Sequence, residues 1–215
     1  MAPSPQEREQ ICALVERFEV DTGVQAVATV AAKADAYPDI PWKAYALGSG
    51  IGALAAAFNP FLVSGWSHAS VLALDAMIIL AAGVVLAALA GFVPVIGHLF
   101  LDGVRARAEA LQYAQGLFLD HQLFRTKARR AVLVVLCHYE RTGVVIVDTG
   151  LRQFAPAAAL AEIGATSGRI LASAGVVPAF EVALHKVKEL LVANGLTASA
   201  GSDELADEVL PENPA

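Results

Sequence analysis

No Lys or Arg lies between Lys43 and Arg105, and the stretch between them is almost continuously apolar. A helix that is apolar on every side must be covered on every side, by protein or by lipid. The stretch divides into two candidate helices, Tyr45 to Val63 and Val71 to Phe92. Each is close to the ~20 residues that cross a hydrocarbon core at ~1.5 Å per residue. Asn59-Pro60 and the Ser64-Gly65-Trp66-Ser67 turn leave only a short link between them, so the two are predicted to be antiparallel neighbours. Gly48 and Gly52, four residues apart, would let the second helix approach closely. The same Gly-Ser-Gly-Ile-Gly run has the look of a dinucleotide loop, but no strand precedes it.

The chain is 56% hydrophobic and 17% charged, against about 25% charged in an ordinary soluble domain. The excess sits in the central stretch. What flanks it is enough, taken together, for one small domain. The net charge is -6, and Asp203, Glu204, Asp207, Glu208 and Glu212 account for nearly all of it, leaving the rest close to neutral. From about Ala198 the composition predicts a disordered acidic tail. Nucleic acid is disfavoured as a partner by that acidity and by the lack of a recognised module. Cys12 and Cys137 have no metal-ligand spacing with each other or with the scattered His residues, and two cysteines make no disulfide framework. No cleavable signal peptide is expected, which leaves the first apolar helix as the insertion signal.

Ser4-Pro5-Gln6-Glu7 reads as a capping box opening a helix that carries Ile11, Leu14, Val15 and Phe18 on one side and stops at Gly23. A strand is predicted over Val24 to Ala31, with Val27 and Thr29 on one face and Ala28 and Val30 on the other, after which Pro38 and Pro41 end regular structure. Trp42, Lys43 and Tyr45 suit a membrane interface. Beyond the second apolar helix, Pro94 and Gly97 predict a break. From Gly103 to His121 an amphipathic helix is expected with Val104, Ala108, Leu111, Ala114 and Phe118 as its apolar stripe. Ala131 to His138 and Val144 to Asp148 read as an antiparallel hairpin, and Pro156 to Ala174 and Val177 to Asn194 as two further helices.

Basic residues flank the outer ends of the apolar pair at Lys43, Arg105 and Arg107, and none lies in its turn. By the positive-inside rule both termini should be cytoplasmic. The two flanking stretches then share one side of the membrane, and the first strand can join the hairpin in one sheet. The expected layout is residues 1–43 and 101–197 as two parts of a split domain, spans over 44–63 and 71–100, an external turn over 64–70, and the tail over 198–215. The fold class that follows is α/β, a three- to four-stranded mixed sheet flanked by helices, with an inserted transmembrane hairpin.

Candidates for chemistry are few. Asp148 at a strand end, Glu140 and Arg141 in the hairpin turn, and Thr126 before the second strand are the catalytic candidates, expected to meet at one edge of the sheet. Arg125, Lys127, Arg129 and Arg130 form the strongest local charge cluster, suited to a phosphate or to anionic headgroups, which attract such residues by ~1 kcal/mol each. His98, His121, His138 and His185 lack ligand spacing, so no metal site is expected. Asp75, near one end of the second apolar helix, reads as a residue within reach of interfacial water.

In order and spacing, Thr22-Gly23, the strand, Tyr37-Pro38, the apolar pair, Arg125-Thr126, Arg129, Leu133, Glu140-Arg141, Asp148 and Gly150 resemble the membrane-anchored bacterial branch of TPM-domain proteins over most of residues 7 to 195. Ala131 stands where that family usually carries Gly, and Thr149 follows Asp148. The resemblance implies a small sheet flanked by helices at the inner membrane of a bacterium. It also implies a role either in upkeep of membrane complexes or, as in members called phosphatases, in phosphomonoester hydrolysis. The favoured expectation is a non-catalytic interaction or assembly module with no cofactor. Its partners would be the membrane, another membrane protein or a second copy of the chain. The alternative is a weak acid-type phosphatase that uses a divalent cation.

Overall fold

The computed structural model describes residues 3–58 and 67–196. The expected interhelical turn at 59–66 and the acidic tail from Ala198 lie outside the described residues. The chain divides into two compact units: residues up to Asp35 together with those from Gly103 onward form the first, and Ala36–Asp102 the second.

The first unit is built on helix α1 (Pro5–Thr22), which opens on the predicted capping box: Glu7 N–H donates to Ser4 Oγ at 3.3 Å and Ser4 N–H to a Glu7 carboxylate oxygen at 2.7 Å. Gly23 ends it in the left-handed region at φ 65°, donating to Glu19 O, a conformation a side chain would penalise. Strand β1 (Gln25–Ala31) pairs in parallel with β2 (Ala131–Cys137), Gln25 opposite Ala131 and Ala31 opposite Cys137. β2 pairs antiparallel with β3 (Thr142–Val147), Val132 opposite Val147. The sheet thus has three strands, in the order β1-β2-β3, and is mixed, with its parallel pair formed by stretches far apart in sequence.

Alternation divides the sheet into two faces. Ala26, Ala28, Val30, Val132, Val134, Leu136, Val145 and Val147 pack with Ile11, Val15, Phe180, Val187 and Leu191 from α1 and from helix α7 (Val176–Ala193). Helix α6 (Ala157–Ala174) joins the same core through Leu160, Ile163 and Leu171. Glycines set its approach to β3: a Cβ on Gly164 would strike the Gly143 carbonyl oxygen, and one on Gly168 would lie 2.5 Å from Thr142 Cα. On the other face, Val27, Leu133, Val135 and Cys137 pack against helix α5 (Gly103–Asp120).

The buried side of α5 corrects the expected stripe. Ala106, Ala110 and Leu117 are buried beside the expected Ala114, whereas Ala108 is exposed and Val104 and Leu111 are 79% and 44% exposed. Small residues at i, i+4 spacing let the helix lie close to the sheet, and close approach took precedence over the bulk of the side chains.

In the second unit, α2 (Asp39–Ala57) begins six residues before the predicted Tyr45. Pro41 falls in its first turn, where its missing N–H costs nothing, so the helix starts there instead of being ended. Helix α3 (His68–Phe92) follows, then a break at Val93 and the short α4 (Pro94–Phe100), as Pro94 predicts. Helices α2 and α3 pack antiparallel through small residues: a Cβ on Gly48 would lie 2.5 Å from Ala82 O, one on Gly52 2.9 Å from Ile79 Cα, and Gly83 faces Tyr45 and Ser49. Leu47, Ile51 and Leu54 of α2, and Leu72, Met77, Leu80 and Val84 of α3, remain exposed. Among the described residues α3 alone is long and apolar enough to cross a membrane, with mean hydropathy 2.5 over its most apolar window. Asp75 is half-buried on α3.

Candidate functional site

The hairpin geometry separates the catalytic candidates. Glu140 and Arg141 lie in the β2–β3 turn, beside the last residue of β2, whereas Asp148 follows the last residue of β3 and lies beside the first of β2. Six residue steps of strand at ~3.3 Å place these groups about 20 Å apart, so the expectation that they meet at one edge fails.

At the turn end, Glu140 is buried and accepts a 2.8 Å hydrogen bond from Ala34 N–H, tying the segment after β1 to the hairpin turn. Burial, with the Glu140 charge as the second cause, pushes the neighbouring Cys137 thiol far above the ordinary thiol range, so it stays protonated and unreactive. Arg141 is exposed and takes a left-handed conformation at φ 50°. This end of the sheet is fastened by structural contacts.

At the other end the loop before β2 and the turn after β3 interlock. Thr126 is buried, its carbonyl accepting from Arg129 N–H at 3.0 Å and its hydroxyl from Arg130 N–H at 3.1 Å, so it staples the loop and lies outside the cleft. Gly150 N–H donates to Arg129 O at 3.0 Å, and a Cβ on Gly150 would lie 2.6 Å from the carbonyl oxygens of both Ala128 and Arg129. Only glycine allows the two backbones to pass so closely. Arg129 itself is held at φ 52°, at a cost of roughly 1–2 kcal/mol for a residue with a Cβ.

That conformation lays the Arg129 side chain across the turn. Its Nε is 3.3 Å from Asp148 Oδ2 and 3.4 Å from Thr149 Oγ1, its Nη1 donates to Phe124 O at 2.8 Å, and the guanidinium stands 5.5 Å from the Phe124 ring centre. Asp148 is buried, its Oδ1 accepting from Thr149 N–H at 2.6 Å. Arg129 and Asp148 are therefore one unit, an ion pair with a buried carboxylate and an exposed cation. Arg125 donates to Gln122 Oε1 at 2.6 Å, and Lys127 is exposed, so the basic cluster is spread along the loop instead of converging on one point.

The pair lies at one end of a groove of about 890 Å³ between α5 and α6, lined by Leu111, Phe118, Leu119, Ile146 and Leu160, with Arg129, Asp148, Thr149 and Arg152 at its polar end. A second apolar hollow of about 440 Å³ adjoins it, sharing Leu111, Val145, Ala157 and Leu160 and adding Arg107. Sequence reasoning missed Arg152 and the groove. The signal for Arg152 was its spacing from Asp148, one short turn further on; the groove walls had none, because Leu111 and Phe118 read as core.

Among the described residues no group of three or more His, Cys, Asp or Glu side chains converges to hold a metal. Arg129 already stands against one carboxylate oxygen of Asp148, and Thr149 N–H donates to the other. Nucleophilic attack needs an accessible nucleophile, and Asp148 is buried and ion-paired.

No family model and no curated protein sequence matches the chain. Among solved structures, the NMR structure of the BA42 protein from the psychrophilic bacterium Bizionia argentinensis is similar with a TM-score of 0.54 at 10% identity, covering 97% of this chain and 94% of that one. The likeness is one of fold.

Proposed function

We propose that this chain is a membrane-anchored, TPM-like domain protein that serves as a non-catalytic interaction or assembly module at the bacterial cytoplasmic membrane. In this reading α2 and α3 cross the bilayer as a hairpin, and the sheet-bearing unit lies on the cytoplasmic side with both termini. The observation that carries it is the exposure of Leu47, Ile51, Leu54, Leu72, Met77, Leu80 and Val84 on the outer faces of helices whose facing sides are glycine and alanine. Soluble proteins do not leave so continuous an apolar surface in water, and in lipid small facing residues are what brings helices together. The partners are the lipid surface and another membrane protein, without cofactor or nucleic acid; a second copy of the chain is compatible with the same surfaces.

A metal-dependent phosphatase is the second reading, favoured by the Arg129–Asp148 pair at the mouth of a groove. Purified full-length protein assayed on p-nitrophenyl phosphate, with and without magnesium, manganese or zinc, separates the two. The expected result is no turnover above that of Asp148→Asn or Arg129→Ala. Turnover abolished by those substitutions would replace the module reading with the enzyme.

A further inference from the structure

The groove between α5 and α6 carries apolar walls that the described residues leave uncovered: Leu111 is 44% exposed and Leu119 62%, with Phe118 and Ile146 half-buried beside them. Its rim is basic. Arg129 and Arg152 are exposed on it and Arg107 on the adjoining hollow, and Arg107 and Arg152 have no ion pair or side-chain hydrogen bond among the described residues. The one rim acid, Asp148, is paired with Arg129. An occupant should therefore be acidic with a few large apolar residues.

The chain itself contains such a segment, and the last described residues lie next to a neighbour of the groove lining. Leu196 is buried, its N–H bonded to Leu191 O at 2.9 Å, and Asn194 Nδ2 donates to Phe154 O at 2.9 Å. The end of the described chain is thus anchored beside Phe154, whose sequence neighbours Arg152 and Ala155 line the groove. Beyond it come Asp203, Glu204, Asp207, Glu208 and Glu212 with no Lys or Arg, and among them Leu205, Val209 and Leu210. Nine residues from Leu196 to Leu205 reach up to about 30 Å, whereas the β3 floor of the groove is about 20 Å long.

We propose that the acidic segment 197–215 of the same chain occupies the α5–α6 groove, its Leu205, Val209 and Leu210 on the apolar walls and its carboxylates on Arg107, Arg129 and Arg152. Tethering raises the local concentration of the segment, so modest contacts suffice to hold it. A competing partner would have to displace it, which makes the segment a built-in occupant of the surface that such a partner would use.

The test uses full-length protein in detergent with a benzophenone amino acid in place of Leu119, and a control protein with the same group in place of the exposed Val20 on α1. After irradiation and digestion, mass spectrometry should place the Leu119 crosslinks on residues 202–212 of the same chain, and the Val20 crosslinks elsewhere. The double substitution Leu205→Asp and Leu210→Asp should lower the yield about tenfold, and raising salt from about 50 mM to about 500 mM should lower it further by screening the rim. A second set guards against misfolding: Arg107→Glu with Arg152→Glu should lower the yield, and Glu204→Arg with Asp207→Arg should restore it. Crosslinks to a second copy, to detergent or lipid, or to no part of the segment would overturn the proposal, as would a yield indifferent to the Leu205 and Leu210 substitutions.

Discussion

The two units place their large apolar side chains in opposite ways. In the sheet-bearing unit Leu133, Leu136, Phe180 and Leu191 are inside, and glycine is used where α6 must approach β3. In the helical unit glycine and alanine bring α2 and α3 together, and Leu72, Met77, Leu80 and Val84 are outside. Both interfaces depend on missing side chains for close approach. They differ in what the remaining surface is made to meet: water in one case and, on the proposed reading, hydrocarbon in the other.

The contrast is sharpest for a single residue type. Leu133→Ala empties space at the centre of the sheet and should cost about 2–5 kcal/mol, lowering the melting midpoint by roughly 5–15 °C. Leu80→Ala removes the same atoms from an exposed face and should leave the midpoint within experimental error; thermal denaturation followed by circular dichroism in detergent measures both. Equal losses at the two positions would mean that the outer face of α3 is packed against protein.

The helix interface is the next most sensitive place. Gly48→Leu drives a side chain into the backbone at Ala82 and should cost about 1–3 kcal/mol by overpacking, read as faster proteolysis within α2 and α3 while the sheet's circular dichroism is retained. Loss of both together would show that the two units do not respond separately.

The smallest effect concerns the sheet-bearing unit alone. Lys188 Nζ on α7 lies 2.7 Å from Asp21 on α1, and that hydrogen bond, ahead of its charge, holds the Asp21 carboxyl below the usual range. A depressed folded-state pKa adds stability above the unfolded value of about 3.9 that is lost as pH falls through the folded one. Asp21→Asn should therefore melt slightly below the unmodified chain at neutral pH and together with it in strong acid. A gap that persists in acid would assign the difference to packing.

Much of the sheet-bearing unit was legible in the chain because its cues are local. The capping box, Gly23, the alternation in β1 and the Val-rich hairpin each act over a few residues. The pairing of β1 with β2 was legible only through the placement of both flanks on one side. The face of α5 was read correctly at Ala114 and misread around it because pattern reading weighs side-chain bulk, whereas the sheet selected Ala106 and Ala110 for closeness. The start of α2 was misread because a proline in a first turn resembles one that breaks a helix.

The site was less legible still. Asp148 and Arg129 are neighbours only because Gly150 lets two loops cross, and Glu140 is fixed by Ala34, more than a hundred residues away in the chain. Neither relation leaves a spacing to read.

The claim on which the rest depends is that the outer surface of α2 and α3 meets lipid. Membranes from cells expressing the full chain, washed with alkaline carbonate and centrifuged, test it directly. The account predicts that the protein stays in the membrane pellet and is released only by detergent; recovery in the carbonate supernatant would contradict it.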